Sequence, residues 1–539
     1  MNQLPRTIYT NCTIITCDPS HPRAHAIIVK GDRIVAIGDA ETVAGVAGTG
    51  TRRVDLDGAC VIPGFDDCHM HILSLGLSLQ QLDIRPDKAP SITDIQRLIG
   101  RAESSSKDED WILGRGYNQN LLAERRHPNR HDLDAVSGNH SVVLWHTSGH
   151  VLTANSRALN LAGITSDTSP PPGGEIDRND SGEPTGVLKE RAMDLMRRAL
   201  PPPSPDQAHD AILAASSALA REGITSASDA ATGQHAGITA EVEAYVAALE
   251  TGNLKTRMVL MPMAQDVVTA AGAPDAMPPN NLSAGAHPTW LRIGAMKIFA
   301  DGALTTRTAA MRKPYEGSDE DGILTWEPSE LVRIVREAHQ LGWPVATHAI
   351  GDRAVEVVLD AYESTQAHSE DRMRIEHCTI CDSGLVARMK AMNVIPVLQP
   401  EDIAVLGDAY PASLGEVRAA NNSPVSWFRE AGLHIAFSSD RPVTPGNPLA
   451  GIRAAVERTT ASGVVLGPGH HIDAEMALTY YTGGSAYATR TEVDKGRLSP
   501  GFLADFAVVD RDITAIPAHE ITEANILMTV VGGTAVYET

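Results

Sequence analysis

The chain has 539 residues, 42% hydrophobic and 21% charged, the balance of a globular protein and not of a disordered, collagenous or coiled-coil one. Acidic residues outnumber basic ones 67 to 45, for a net charge of −22, and aromatics are only 4%. The basic residues are scattered singly or in pairs, so the footprint of a nucleic-acid binder is missing. A domain usually takes roughly 100–200 residues, so this length implies two to four domains or one large barrel with additions.

Six cysteines are too few for a disulfide framework. The opening MNQLPRTIYTNCTIITCD lacks a basic head followed by an apolar core, and no run reaches the length of a membrane span. These features read as a soluble, reduced, cytoplasmic protein with neither nucleic-acid nor membrane partner.

Taken from the N-terminus, residues 7–16 are mostly apolar and β-branched. Residues 26–29 and 34–37 flank Lys30-Gly31-Asp32-Arg33, whose central Gly-Asp suits a hairpin turn. Short apolar runs follow at 59–62, 224–227, 258–261, 293–299, 344–346, 373–375, 394–398 and 435–437. Helical patterns separate several of them, as at 329–341 and 382–392. Strands alternating with helices predict parallel βαβ units, and eight runs fit an eight-stranded barrel. Residues 73–222 exceed what one unit can use and hold the turn-rich segment 166–184, so they read as an insertion near the barrel mouth. Strand-like segments 503–510 and 526–536, the second broken by Gly532-Gly533, end the chain. The expected architecture is therefore an eight-stranded (β/α)8 barrel over 61–489, with one small composite β-domain assembled from residues 1–60 and 490–539.

The strongest chemical signal is ACVIPGFDDCHMH, residues 59–71. Residues two apart in a strand share a face, so His69 and His71 project together and make half of a metal site. Other runs stop on similar groups: PVATH on His348, MRIEH on His377 and IAFSSD on Asp440. Lys297 lies inside an apolar run and is followed by Asp301. A buried lone ammonium is costly unless it is modified or faces a metal. Each residue alone fits an ordinary core histidine or a salt-bridged charge. The six together, each at a strand end where a barrel keeps its site, do not read as coincidence. Asp66 and Asp67 are candidates to support the pair, and the Cys378/Cys381 spacing reads as a helix start, because no second such pair exists.

This ordered set resembles the amidohydrolase superfamily, and within it the YtcJ-like branch that includes N-substituted formamide deformylases. The matching segments are VIPGFDDCHMH, GYNQN, GHVLTANSRAL, PGGEIDRNDSGEPTGVL, GITSASDA, MKIFADGALTTRTA, THAIGDRAV, RIEHC, FSSD and KGRLSPGFLADFAVVD. The resemblance implies a metal-dependent barrel, a β-sandwich as the domain built from both chain ends, and one or two divalent ions, zinc first. His69 and His71 would hold one ion and His348 and His377 the other, with a carbamylated Lys297 bridging them. Asp440 would touch the first ion and act as base and acid in hydrolysing a small-molecule amide. It also implies a homodimer, and places His150 near the substrate, with His146, Arg307, Tyr117 and Asn118 as further lining candidates. GALTTRTA departs from the GSLGSRTA of many relatives, which bears on pocket shape at Thr305 and Thr306. A heterocycle deaminase on this scaffold pairs the strand-five histidine with a glutamate three residues on; that position here is Gly351. A binding protein that had lost catalysis would shed ligands first, and all six are present.

Overall fold

The computed structural model describes residues 6–48, 50–104, 111–119, 121–146, 151–171, 174–190, 192–268, 287–305, 307–366 and 369–539. They divide into two compact units, Met1–Leu73 with Ala208–Thr539, and Ser74–Gln207.

The larger unit contains two all-parallel sheets. One runs in the order Leu291–Ile293, Arg257–Pro262, Ile224–Thr232, Phe65–Met70. The other runs Met296–Phe299, Val345–Ala349, Arg374–His377, Ile395–Leu398, Ala436–Phe437. These strands are buried along almost their whole length, which is why they read as short continuous apolar runs and not as alternating patterns. Crossover helices lie between them. In Pro328–Gln340 a proline opens the first turn, and Leu331, Ile334, Val335 and Ala338 form the buried stripe that a 3.6-residue period dictates. Ser383–Met392 starts where the Asp382 side chain accepts from Leu385 N.

Leu291–Ile293 and Met296–Phe299 are halves of one run, broken at Gly294-Ala295. The first half pairs with Arg257–Pro262 and the second with Val345–Ala349. A parallel bridge from Met263 to Lys297 joins the two sheets there. At their other edges Asp440 N donates to His69 O at 2.9 Å and His71 N to Arg441 O at 2.8 Å.

One expectation is corrected. Residues 59–62 are not the first parallel strand. They belong to Cys60–Pro63, which pairs with Thr13–Ile15 and Phe506–Val509 in a six-stranded sheet made from both chain ends. The first parallel strand is Phe65–Met70. Gly64 lies between them, where a Cβ would fall 2.2 Å from the Thr225 side chain. The chain passes from one sheet to the other at that residue, and the Pro63-Gly64 pair is the sequence signal of the division. A four-stranded sheet, Arg33–Gly38, Ala26–Lys30, Arg6–Thr10 and Arg52–Asp55, shares a core with the six-stranded one through Tyr9, Ile27, Val29, Val61, Phe506 and Val530.

The smaller unit is built on a six-stranded sheet ordered Gly174–Arg178, Pro184–Glu190, Val151–Ala154, Ser141–His146, Trp111–Tyr117, Leu82–Asp83. Ile92, Ile95 and Ile99 of the helix Ile92–Glu103 pack with Ile112, Val142 and Leu144 of that sheet. No described helix of the chain is long and apolar enough to cross a membrane.

Candidate metal centre

The groups that end the parallel strands meet. Asp440 Oδ1 lies 3.3 Å from His69 Nε2 and 3.1 Å from His71 Nε2. Lys297 Nζ is 3.2 Å from His69 Nε2. The His377 ring is 5.0 Å from that of His69 and 4.5 Å from that of His348. His69, His377 and Asp440 offer donor atoms that all lie within 4.8 Å of one another. His377 and Asp440 both take a left-handed backbone, with φ of 70° and 55°. That region is uncommon for residues other than glycine, and it turns these side chains where an extended strand end would not.

Neighbours fix which atom each ring presents. The Nδ1 of His69 bonds the buried Glu376 carboxylate, and the Nδ1 of His377 donates to Gln399 Oε1 at 2.8 Å. Each ring therefore keeps Nε2 as its lone-pair atom. His348 Nε2 donates to Gly302 O at 3.1 Å and lies 3.3 Å from Asp301 Oδ1, which leaves Nδ1 as its lone-pair atom. Glu376 is gripped by Arg374 through Nε at 2.7 Å and Nη2 at 2.9 Å, and that guanidinium also donates to Cys68 O at 2.9 Å. Asp67 accepts from His69 N at 3.3 Å and Ser439 N at 3.1 Å, tying the first and last parallel strands together below the cluster. Asp66 instead pairs with Lys495 at 2.9 Å.

The electrostatics suit a cation. Burial lowers the Lys297 ammonium to about 8, and burial, then the neighbouring His348, holds His377 well below its ordinary value. Burial alone would raise Asp440, yet the imidazoles of His69 and His71 hold it well below the carboxylate range. Its buried Oδ1 faces two ring nitrogens without an aligned hydrogen bond. A carboxylate oxygen and imidazole lone pairs converging without mutual satisfaction is the donor set that a divalent ion completes, so these residues fit the implied metal.

The other predicted residues distribute differently. Tyr117 and His146 meet in the smaller unit, rings 5.2 Å apart, with His127 as a third member: the Tyr117 hydroxyl lies 3.1 Å from His127 Nδ1 and 3.1 Å from Thr153 Oγ1. Asn118 follows Tyr117 and is half-buried. Arg307 in the larger unit places its guanidinium carbon 6.0 Å from the centre of the Tyr315 ring. His150 and Thr306 lie outside the described residues. Asp301 accepts from Ile350 N, Gly351 N and Ala310 N and also sits 3.3 Å from His348 Nε2, so it ties its loops to that ring. Cys378 and Cys381, sulfurs 3.4 Å apart, precede the helix and do not open it. Sequence reasoning missed Arg374, Glu376 and Gln399. A signal existed for the first two: Arg and Glu two apart in an otherwise apolar strand must share one buried face.

The profile of the amidohydrolase family matches residues 52–537. The chain is 31% identical over 521 residues to the putative amidohydrolase YtcJ of Bacillus subtilis (strain 168), covering 96% of each. It is 29% identical over 553 residues to the N-substituted formamide deformylase of Arthrobacter pascens, covering 100% of this chain and 99% of that one. Among solved structures it is similar to an uncharacterized metal-dependent hydrolase from Pyrococcus horikoshii, with a TM-score of 0.77 at 27% identity, over 95% of this chain and 99% of that one.

Proposed function

The chain belongs to the amidohydrolase family, and from that premise we propose that it hydrolyses an amide-type carbon–nitrogen bond in a small molecule at a divalent metal centre. His69, His71, Lys297, His348, His377 and Asp440 would hold the metal, and an N-substituted formamide is the first candidate substrate. The fold reading that accompanies it is the expected (β/α)8 barrel of 61–489 with its start moved to Phe65, since Cys60–Pro63 belongs to the sheet of the chain ends, and with the interrupted run counted as one of eight strands. Residues 1–60, extended to Pro63 by the strand Cys60–Pro63, and 490–539 form the β-sandwich domain, and about 73–222 the insertion.

The observation that carries this reading is the meeting of Asp440 Oδ1, the Nε2 atoms of His69 and His71, and Lys297 Nζ within 3.3 Å contacts, from strands far apart in sequence. The full-length similarity to a formamide deformylase supports the substrate class.

A bound divalent ion, zinc first among candidates, would supply Lewis acidity, bringing the pKa of water towards about 7 and steadying oxyanion charge. The chain's own groups do the rest. Glu376 and Gln399 orient the rings of His69 and His377 and keep their inner nitrogens unprotonated. Asp440, ionised at neutral pH, takes a proton from the attacking water on its carboxylate and returns it to the departing nitrogen, which leaves as a neutral amine. Lys297, brought to about 8 by burial, has a neutral fraction whose amine can add carbon dioxide. The ammonium loses one proton to give the amine; the N–C bond then forms as one C=O π bond of carbon dioxide opens and a second proton leaves, so a group that would oppose a cation becomes a carbamate that attracts one.

The test is hydrolysis of a panel of N-alkyl and N-aryl formamides, acetamides, cyclic imides and N-acyl amino acids by protein reconstituted with zinc or manganese. The reading expects amine release from at least one member, with kcat falling about 10²–10⁴-fold in Asp440→Asn, the usual contribution of a general base. No turnover on any member would overturn it.

A further inference from the structure

Outside the metal centre the larger unit has a second concave feature, and its lining is unusual for a protein of net charge −22. A cavity of about 290 Å³ opens where the run 291–299 is broken. Because Leu291–Ile293 bonds one neighbour and Met296–Phe299 the other, the strands part around Gly294-Ala295. A Cβ at Gly294 would lie 2.6 Å from Val259 Cγ1, so the break is closely packed on that flank. Pro344 and Arg374 sit at the starts of their strands, whereas His348 and His377 sit at or near the ends of the same two. The cavity therefore lies at the opposite strand ends from the metal centre.

Four arginines line it: Arg292, Arg372, Arg374 and Arg490. Two are neutralised. Arg372 pairs with Glu492 at 2.6 Å, and Arg374 with Glu376 at 2.7 Å. The other two have no carboxylate within 4.0 Å among the described residues. Arg490 Nη2 donates to the backbone carbonyls of Glu370 at 2.9 Å and Asp371 at 2.6 Å, and Arg292 Nη1 to the carbonyl of Arg490 at 3.4 Å. The nearby Asp371 carboxylate is engaged by His339 at 3.1 Å. Carbonyls hold these guanidiniums in place, the Asp371 and Glu492 carboxylates act on Arg490 only through space, and among the described residues both arginines keep N–H groups unspent. Arg490 is exposed and Arg292 half-buried, and guanidiniums gathered around one cavity repel one another, a repulsion that an anion between them relieves.

We propose that this cavity is a binding site for a compact dianion, anchored by Arg292 and Arg490, with the ion-paired Arg372 and Arg374 completing its lining. Its volume is at the small end for a ligand pocket, which suits a phosphate or a short dicarboxylate and not a large cofactor. Both share the chemistry that a guanidinium recognises, a planar or tetrahedral oxyanion edge.

The test is calorimetric titration of the full-length protein with inorganic phosphate and, separately, malonate, at constant ionic strength set with chloride. Saturable one-to-one binding of either anion supports the site, and the one that binds more tightly identifies the class. Arg292→Ala and Arg490→Ala should each weaken binding about tenfold or more, the usual loss of a charge-assisted bond. Arg33→Ala, which removes an arginine paired elsewhere with Asp494, should leave binding unchanged. Circular dichroism and amide hydrolysis report whether each variant has kept its fold. No saturable binding of either anion, or binding unchanged in Arg292→Ala and Arg490→Ala, would overturn the proposal, and neither result touches the metal-centre reading.

Discussion

Glu376→Gln is the perturbation whose size the structure sets most clearly. Glu376 is fully buried and holds two partners at once, Arg374 by a two-pronged bond and the Nδ1 of His69. Burial would push its carboxyl upward, but the guanidinium and the imidazole hold it far below the usual range. Glutamine keeps the shape and removes the charge, which leaves Arg374 as a buried cation without a counter-ion. Breaking a buried pair in this way costs about 3–5 kcal/mol. Glutamine has one acceptor oxygen for two demanding donors, so the His69 ring also loses its fixed orientation, and metal affinity should fall about 10–100-fold. Urea unfolding followed by tryptophan fluorescence measures the first effect, and competition with a chromophoric chelator measures the second. The double variant Arg374→Met/Glu376→Gln should recover much of the stability and none of the metal affinity. Loss below about 1 kcal/mol in the single variant would refute the reasoning, because it would mean the ion pair is not a closed, water-free unit. The depressed pKa adds a sign: the stability this carboxylate contributes is present above its unfolded value and is lost as pH falls through the folded one.

Lys297→Ala should lower metal content by about one equivalent and abolish amide hydrolysis, read by plasma mass spectrometry and by amine release. In metal-free protein, Lys297 titrates at about 8 when folded and at 10.5 when unfolded. The unfolded chain then holds the extra proton between those values, so stability should rise as pH increases through that window, and subtracting the curve of Lys297→Ala isolates the gain in urea midpoint. At Gly351 an added Cβ would fall 1.9 Å from the backbone oxygen of Ala310. Gly351→Ala should therefore cost about 1–3 kcal/mol by urea unfolding while leaving the metal-binding groups chemically intact.

Much of the site was legible because its donors sit where apolar runs stop. His69, His348, His377 and Asp440 each stand out against buried neighbours of a different chemical kind. The helices at 328–340 and 383–392 were legible to within a residue, since their buried stripes and first-turn signals agree. The first parallel strand was not, because the apolar run 59–62 reads as that strand; the Pro63-Gly64 pair, where a Cβ on Gly64 would meet Thr225, marks the division between Cys60–Pro63 and Phe65–Met70. The break at Gly294-Ala295 was hidden for the same reason: hydrophobicity does not report which neighbour a strand bonds. Arg374 and Glu376 went unread because a charged pair inside a strand looks like noise until its burial is known. Gln399 lies just past the end of its strand, and nothing in its local sequence points at His377, 22 residues away.

The central claim is tested most directly by the metal content of protein purified without chelator, compared with His69→Ala/His377→Ala. The account predicts about one to two divalent ions per chain in the native protein and well under half an equivalent in the double variant, with the fold retained. Less than about half an equivalent in native protein even after incubation with zinc or manganese, or an unchanged content in the double variant, would contradict it.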